Sequence, residues 1–126
     1  MNLAGTCVIT ISQDGLDATP APTYYAAAPS ITTTITVVAG APSEVQNITA
    51  RSGDRSLTLT WIAPALDGGA PISTYNITWR PLTGGGAATA ISIPASTTSY
   101  VVTGLSNGIG YDVLVRATNA AGRQGP

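Results

Sequence analysis

Histidine, lysine and phenylalanine are absent from this chain of 126 residues, cysteine occurs once, and only 9% of the residues are charged. Without histidine, no Ser-His-Asp or Cys-His pair can form, and there is no imidazole to ligate a metal or carry a proton near neutral pH. Without lysine, Schiff-base chemistry and a phosphate-loop ammonium are both unavailable. Five arginines against six carboxylates give a net charge of −1. No basic surface is left to collect phosphates, so nucleic acid is excluded as a partner. Threonine, serine or glycine interrupts every apolar run well short of the about 20 residues a membrane helix needs, so no membrane span is expected. Met1 to Ser12 has neither the charged start nor the apolar stretch of a secretory signal, and any export signal would have to lie elsewhere. The lone Cys7 cannot close an internal disulfide; it is a buried thiol, a bridge to a second chain, or half of a pair whose other half is absent.

What the chain does have is 44% hydrophobic residues arranged with a period of two, the pattern of strands with one buried and one wet face. This balance opposes intrinsic disorder, and no stretch reads as a helix. Thr6 to Ser12 and Ile31 to Val38 are β-branched strand candidates. Between them Asp14-Gly15 marks a turn, and Pro20, Pro22 and Pro29 forbid continuous pairing. Gly40-Ala41-Pro42 then punctuates the chain, and strands follow at the short spacing of an all-β sandwich. Val45 to Ala50 opens the series. Leu57, Leu59 and Trp61 alternate with threonines, and Tyr75, Ile77 and Trp79 alternate with Asn76, Thr78 and Arg80. Ala90 to Pro94 forms the next strand, and Tyr100, Val102 and Leu105 carry a further apolar face. Tyr111, Val113, Val115 and Ala117 point inward from the last strand, where Leu114 breaks the alternation by facing outward. The core expected from this pattern is Trp61, Tyr75, Ile77, Tyr100, Leu105, Tyr111, Val113 and Val115.

L-T-L-T-W-I-A-P (Leu57 to Pro64), G-G-A-P-I-S-T-Y-N-I-T-W-R (Gly68 to Arg80), T-G-L-S-N-G-I-G-Y (Thr103 to Tyr111) and Y-D-V-L-V-R-A-T-N-A-A-G (Tyr111 to Gly122) together resemble a fibronectin type III domain, an immunoglobulin-like β-sandwich, over residues 41–126. The resemblance implies that Trp61 is the core tryptophan of the second strand. It also implies that Tyr111 is a tyrosine-corner residue whose hydroxyl bonds back to backbone near Leu105. The family has a seventh strand, which would begin at A-G-R-Q-G-P; its absence would leave the Tyr111 to Asn119 strand with an open edge. Such a loss removes on the order of 5 to 10 kcal/mol of burial, so an isolated module is expected to be marginal. If Ile31 to Val38 is free, it folds back to supply a surrogate strand; otherwise the open edge is covered by pairing with another chain. G-T-C-V-I-T-I, Y-Y-A-A-A-P-S-I and the strand to Val38 resemble the closing half of a bacterial immunoglobulin-like repeat, so residues 1–40 are read as a partial β-sandwich or β-hairpin segment. That resemblance implies that Cys7 pairs with a cysteine upstream of Met1.

The chemistry available is sparse. Asp14, Asp17, Glu44, Asp54, Asp67 and Asp112 are the only candidate acids and bases, and most sit in turns or linkers. Nothing pairs two carboxyls across a cleft as glycoside hydrolysis requires. Asp14 and Asp17 fall far short of the about six to eight oxygen ligands of a calcium cage. No catalytic residue, metal or cofactor is therefore expected, and the chain is not read as an enzyme. Trp79, Tyr24 and Tyr25 are the candidate ligand contacts, since exposed aromatic faces stack on sugars, although Trp79 shares the parity of the core set. Asn47-Ile48-Thr49 and Asn76-Ile77-Thr78 match the glycosylation pattern but read as ordinary strand residues. The leading functional expectation is a non-catalytic spacer and adhesion module of a bacterial surface or secreted protein. Its partners would be adjacent modules of the same polypeptide and protein or glycan ligands, at an extracellular or cell-surface location. The alternatives are a carbohydrate-binding accessory module of a polysaccharide-degrading enzyme and a virion decoration module.

Overall fold

The computed structural model describes residues 5–11 and 31–126. Asp14, Asp17, Tyr24 and Tyr25 lie outside the described residues, and of Cys7 only its place in a strand is described. Contacts divide the chain into two units, with the break between Val38 and Ala39. The first is a two-stranded antiparallel sheet of β1 (Gly5–Ile11) and β2 (Ile31–Val37). Its register runs from Gly5 opposite Val37 to Ile11 opposite Ile31, with Cys7 opposite Ile35. β1 is the ladder partner of this strand, a pairing that brings two β-branched segments together.

The second unit, Ala39–Pro126, carries β3 (Gln46–Gly53), β4 (Ser56–Ile62), β5 (Ile72–Pro81), β6 (Thr89–Pro94), β7 (Ser99–Thr103) and β8 (Tyr111–Asn119). They form two antiparallel sheets, β3-β4-β7 and β6-β5-β8, and no helix occurs among the described residues. The alternation along β4 explains the first sheet. Leu59 and Trp61 are buried and Leu57 packs against the core, while Tyr100 and Val102 of β7 stand opposite Leu59 and Leu57. In the second sheet, Tyr75 and Ile77 of β5 face Ile93 and Ile91 of β6 on one side. On the other side they face Ala117 and Val115 of β8. The two inner faces meet in one apolar cluster, each fully buried large side chain contributing about 1.5 to 3 kcal/mol. At its centre the Trp61 and Tyr75 rings pack edge-to-face, with centroids 5.4 Å apart and planes at 70°.

Of the residues placed in the core from sequence, Trp61, Tyr75, Ile77, Leu105 and Val115 are buried, whereas Tyr100, Tyr111 and Val113 are partly buried at its margin. Tyr111 and Val113 lie on the end of β8 that no strand flanks on its outer side among the described residues. Val45, Leu59, Ile93, Val102 and Ala117 complete the buried cluster. The first sandwich strand begins at Gln46, one residue later than expected, and its register shifts between Gln46 and Thr49. Asn47 there has φ of 48°, and every residue of β3, Ile48 included, is exposed.

Candidate functional site

Two places on the Ala39–Pro126 unit bring polar groups together: the pole where β8 ends, and the edge along which β8 runs. At the pole the chain needs a turn after Asn119 and a landing point for Gly40. Asn119, 1% exposed, supplies both. Its Nδ2 donates to the Gly40 carbonyl at 2.8 Å and to the Asp67 carbonyl at 2.9 Å. Its Oδ1 accepts from the Arg123 backbone N–H at 3.0 Å. Gly40 N–H in turn donates to the Gly68 carbonyl, and Ser43 N–H to the Leu66 carbonyl. The approach is close enough that a Cβ on Gly68 would lie 2.5 Å from the Gly40 oxygen. Gly68 also has φ of +77°, a conformation that suits glycine.

Along the edge, the direction of the β8 backbone groups follows from its last residues. The Ala117 carbonyl accepts from Gly125 N–H at 2.9 Å, and Asn119 N–H donates to the Arg123 carbonyl at 3.0 Å. Backbone groups alternate sides along a strand, so those of Tyr111, Val113 and Val115 also point away from β5. Gln124 meets Thr118 in a single antiparallel bridge, and among the described residues no strand pairs with the Tyr111–Val115 stretch on that side. Beside it lies a cleft of about 280 Å³, lined by Ala50, Ser52, Leu57, Tyr111 and Val113 among others. Its lower rim is fixed by hydrogen bonds. Asn107 Nδ2 donates to Asp54 Oδ1, and Asn107 Oδ1 accepts from Arg55 N–H, both at 2.8 Å. The Tyr111 hydroxyl accepts from Ser106 N–H at 3.0 Å, five residues upstream.

The carboxylates of this unit do structural work where their partners are seen. Asp67 Oδ1 accepts from Gly69 N–H, Asp54 holds Asn107, and Asp112 forms a 3.0 Å ion pair with Arg80. Both ends of that pair are well exposed, so its contribution is small. Among the described residues no group of three or more His, Cys, Asp or Glu side chains gathers where a metal could sit. Burial raises the Tyr75 phenol above its usual pKa; the neighbouring Trp61 indole opposes the shift only weakly, since its buried N–H finds no acceptor in hydrogen-bonding geometry. Trp79, one of the candidate ligand contacts, packs half-buried against the core.

The comparisons with known proteins agree with this architecture. A family model described as the fibronectin type III domain matches residues 40–126. The chain belongs to the fibronectin type III family. Among solved structures it is similar to a stretch of titin domains at 25% identity and a TM-score of 0.60, covering 77% of this chain and 34% of that one. It also resembles the FN1–FN3 domains of chicken CNTN1 at 20% identity and a TM-score of 0.60, covering 78% and 34%. A structure described as a myokine matches at 22% identity and a TM-score of 0.57, over 68% and 88%. The fibronectin type III chain thus spans about a third of the titin and CNTN1 structures.

Asn119 was not singled out from sequence. The available signal was parity: Asn119 continues the inward series Tyr111, Val113, Val115, Ala117. A polar residue at the end of such a series is buried and must find partners.

Proposed function

We propose that this chain is a non-catalytic module of an extracellular or cell-surface modular protein of bacterial type, holding neighbouring modules apart and offering surface for adhesion. Residues 41–126 are its fibronectin type III domain, and residues 1–40 belong to an immunoglobulin-like repeat. Its partners are adjacent modules of the same polypeptide and protein or glycan ligands. One observation carries the reading: Asp54, Asp67 and Asp112 are each engaged in holding a turn or a strand pair, so the unit's polar chemistry serves its shape. The similarity to multi-domain stretches of titin and CNTN1 supports a role in tandem arrays. No helix among the described residues is long and apolar enough to cross a membrane.

The test is protease shaving of intact source cells, followed by immunoblotting with antibody to residues 41–126. Loss of the signal before lysis is the expected result, and protection until lysis overturns the extracellular assignment. Titrating polysaccharides while following tryptophan fluorescence separates the partner classes: a saturable change identifies a glycan ligand, and no change on any polysaccharide counts against the glycan partner and the carbohydrate-binding alternative together.

A further inference from the structure

The loop between β7 and β8 is tied to the hairpin turn between β3 and β4 by one side chain. Asn107 is exposed, yet both ends of its amide are occupied: Nδ2 donates to Asp54 Oδ1, and Oδ1 accepts from Arg55 N–H, each at 2.8 Å. Beside it Leu105 N–H donates to the Arg55 carbonyl at 3.1 Å. The residue that follows Asn107 is an exposed glycine, Gly108, with φ of +79°. An asparagine followed by glycine is especially prone to ring closure, because no side chain hinders approach to the next backbone nitrogen. In that reaction the Gly108 nitrogen gives up its proton and attacks Asn107 Cγ, the Cγ–Nδ2 bond breaks and ammonia leaves. Water then opens the succinimide to aspartate or isoaspartate. Water is the only co-reactant, and no electrons are exchanged.

For the attack, Cγ must swing over the peptide that follows its own residue. The bonds to Asp54 and Arg55 turn the amide instead toward a turn 52 residues away in sequence. We infer that Asn107 is a latched deamidation site: its bonds to the β3–β4 turn suppress ring closure in the folded chain, and local opening of the loop commits it to a one-way modification that destroys the latch. The product cannot restore what was lost. Nδ2 is the donor toward Asp54, and deamidation replaces it with oxygen, so two carboxylates face each other where a hydrogen bond stood. Isoaspartate also lengthens the backbone by one carbon ahead of Gly108.

The experiment incubates the full chain in mildly alkaline buffer, with and without denaturing urea, and follows isoaspartate at residue 107 by chromatography and mass spectrometry of its peptide. Formation should be at least about tenfold slower in the folded chain, as for a reaction that needs local opening. Asp54→Ala removes the acceptor of Nδ2 and should speed formation at least about threefold with Trp61 fluorescence still that of a folded sandwich. Asp54→Asn keeps an acceptor oxygen in place and should stay slow. Ile77→Val weakens the whole sandwich without touching the loop, and it should leave the rate unchanged because the opening is local. The inference is overturned by equal rates in the folded and unfolded chains, or by an Asp54→Ala chain no faster than the parent. An Asp54→Asn chain as fast as Asp54→Ala overturns it as well, and so does an Ile77→Val chain accelerated as much as Asp54→Ala.

Discussion

Replacing Asn119 by alanine tests whether the pole of the sandwich is held by one side chain. The substitution removes three hydrogen bonds, to the Gly40 carbonyl, the Asp67 carbonyl and the Arg123 N–H. Each is worth a net about 0.5 to 1.5 kcal/mol, and together they give about 3 kcal/mol. With stabilities of about 5 to 15 kcal/mol typical of whole domains, this is a large share. With a urea m-value of about 1 to 1.5 kcal/mol/M for a domain of this size, the unfolding midpoint should fall by about 2 to 3 M. Equilibrium urea denaturation of the full chain, followed by the fluorescence of buried Trp61, is the assay. Asn119→Asp should be worse than Asn119→Ala, because it turns a carboxylate oxygen toward two carbonyls. Burial should raise that carboxyl's pKa, so the variant should be most stable at acid pH and lose stability as pH rises through the carboxylate range. A loss below about 0.5 kcal/mol for Asn119→Ala, the scale of an ordinary surface substitution, would refute the reasoning.

Leu59→Ala, at a position with 0% exposure, should cost about 2 to 5 kcal/mol through lost burial and a residual cavity, read as a lower melting temperature. Gly68→Ala and Gly104→Ala separate two effects, since both glycines have positive φ but only Gly68 has backbone atoms within 3 Å of a Cβ. Gly104→Ala should cost about 1 kcal/mol and Gly68→Ala clearly more, by the same denaturation assay; equal losses would contradict the close approach of Gly40. Tyr75 has its pKa raised in the fold by burial, so the unfolded chain releases that proton first. Its stabilising contribution is full below about pH 10 and is lost as pH rises through the folded value. Tyr75→Phe should flatten that alkaline decline in the urea midpoint, and an unchanged slope would contradict it.

The sandwich was legible because its inner faces alternate in residue type as well as in geometry. Leu59 with Trp61, and Tyr75 with Ile77, declare their strands and their buried side at once. The fibronectin type III motifs span the turns between them. What was hidden depends on chain segments far apart in sequence. Asn47 gives no sign that it takes a positive φ where the register of β3 shifts. Tyr111 and Val113 belong to the inward series by parity, yet how deeply they are buried depends on what covers the next position across the sheet. Asn119 shows the same limit in reverse: its partners, Gly40 and Asp67, come from a linker and a loop that periodicity does not connect. The carboxylates looked idle from sequence, and only the fold shows Asp54 gripped by Asn107 and Asp67 closing its own turn.

A spacer is defined by bearing extension as a cooperative unit, and single-molecule pulling on the full chain measures that property directly. Residues 40–126 should unfold in one event that releases about 300 Å of contour, at about 3.5 Å per residue. Gradual lengthening with no such step would contradict the account.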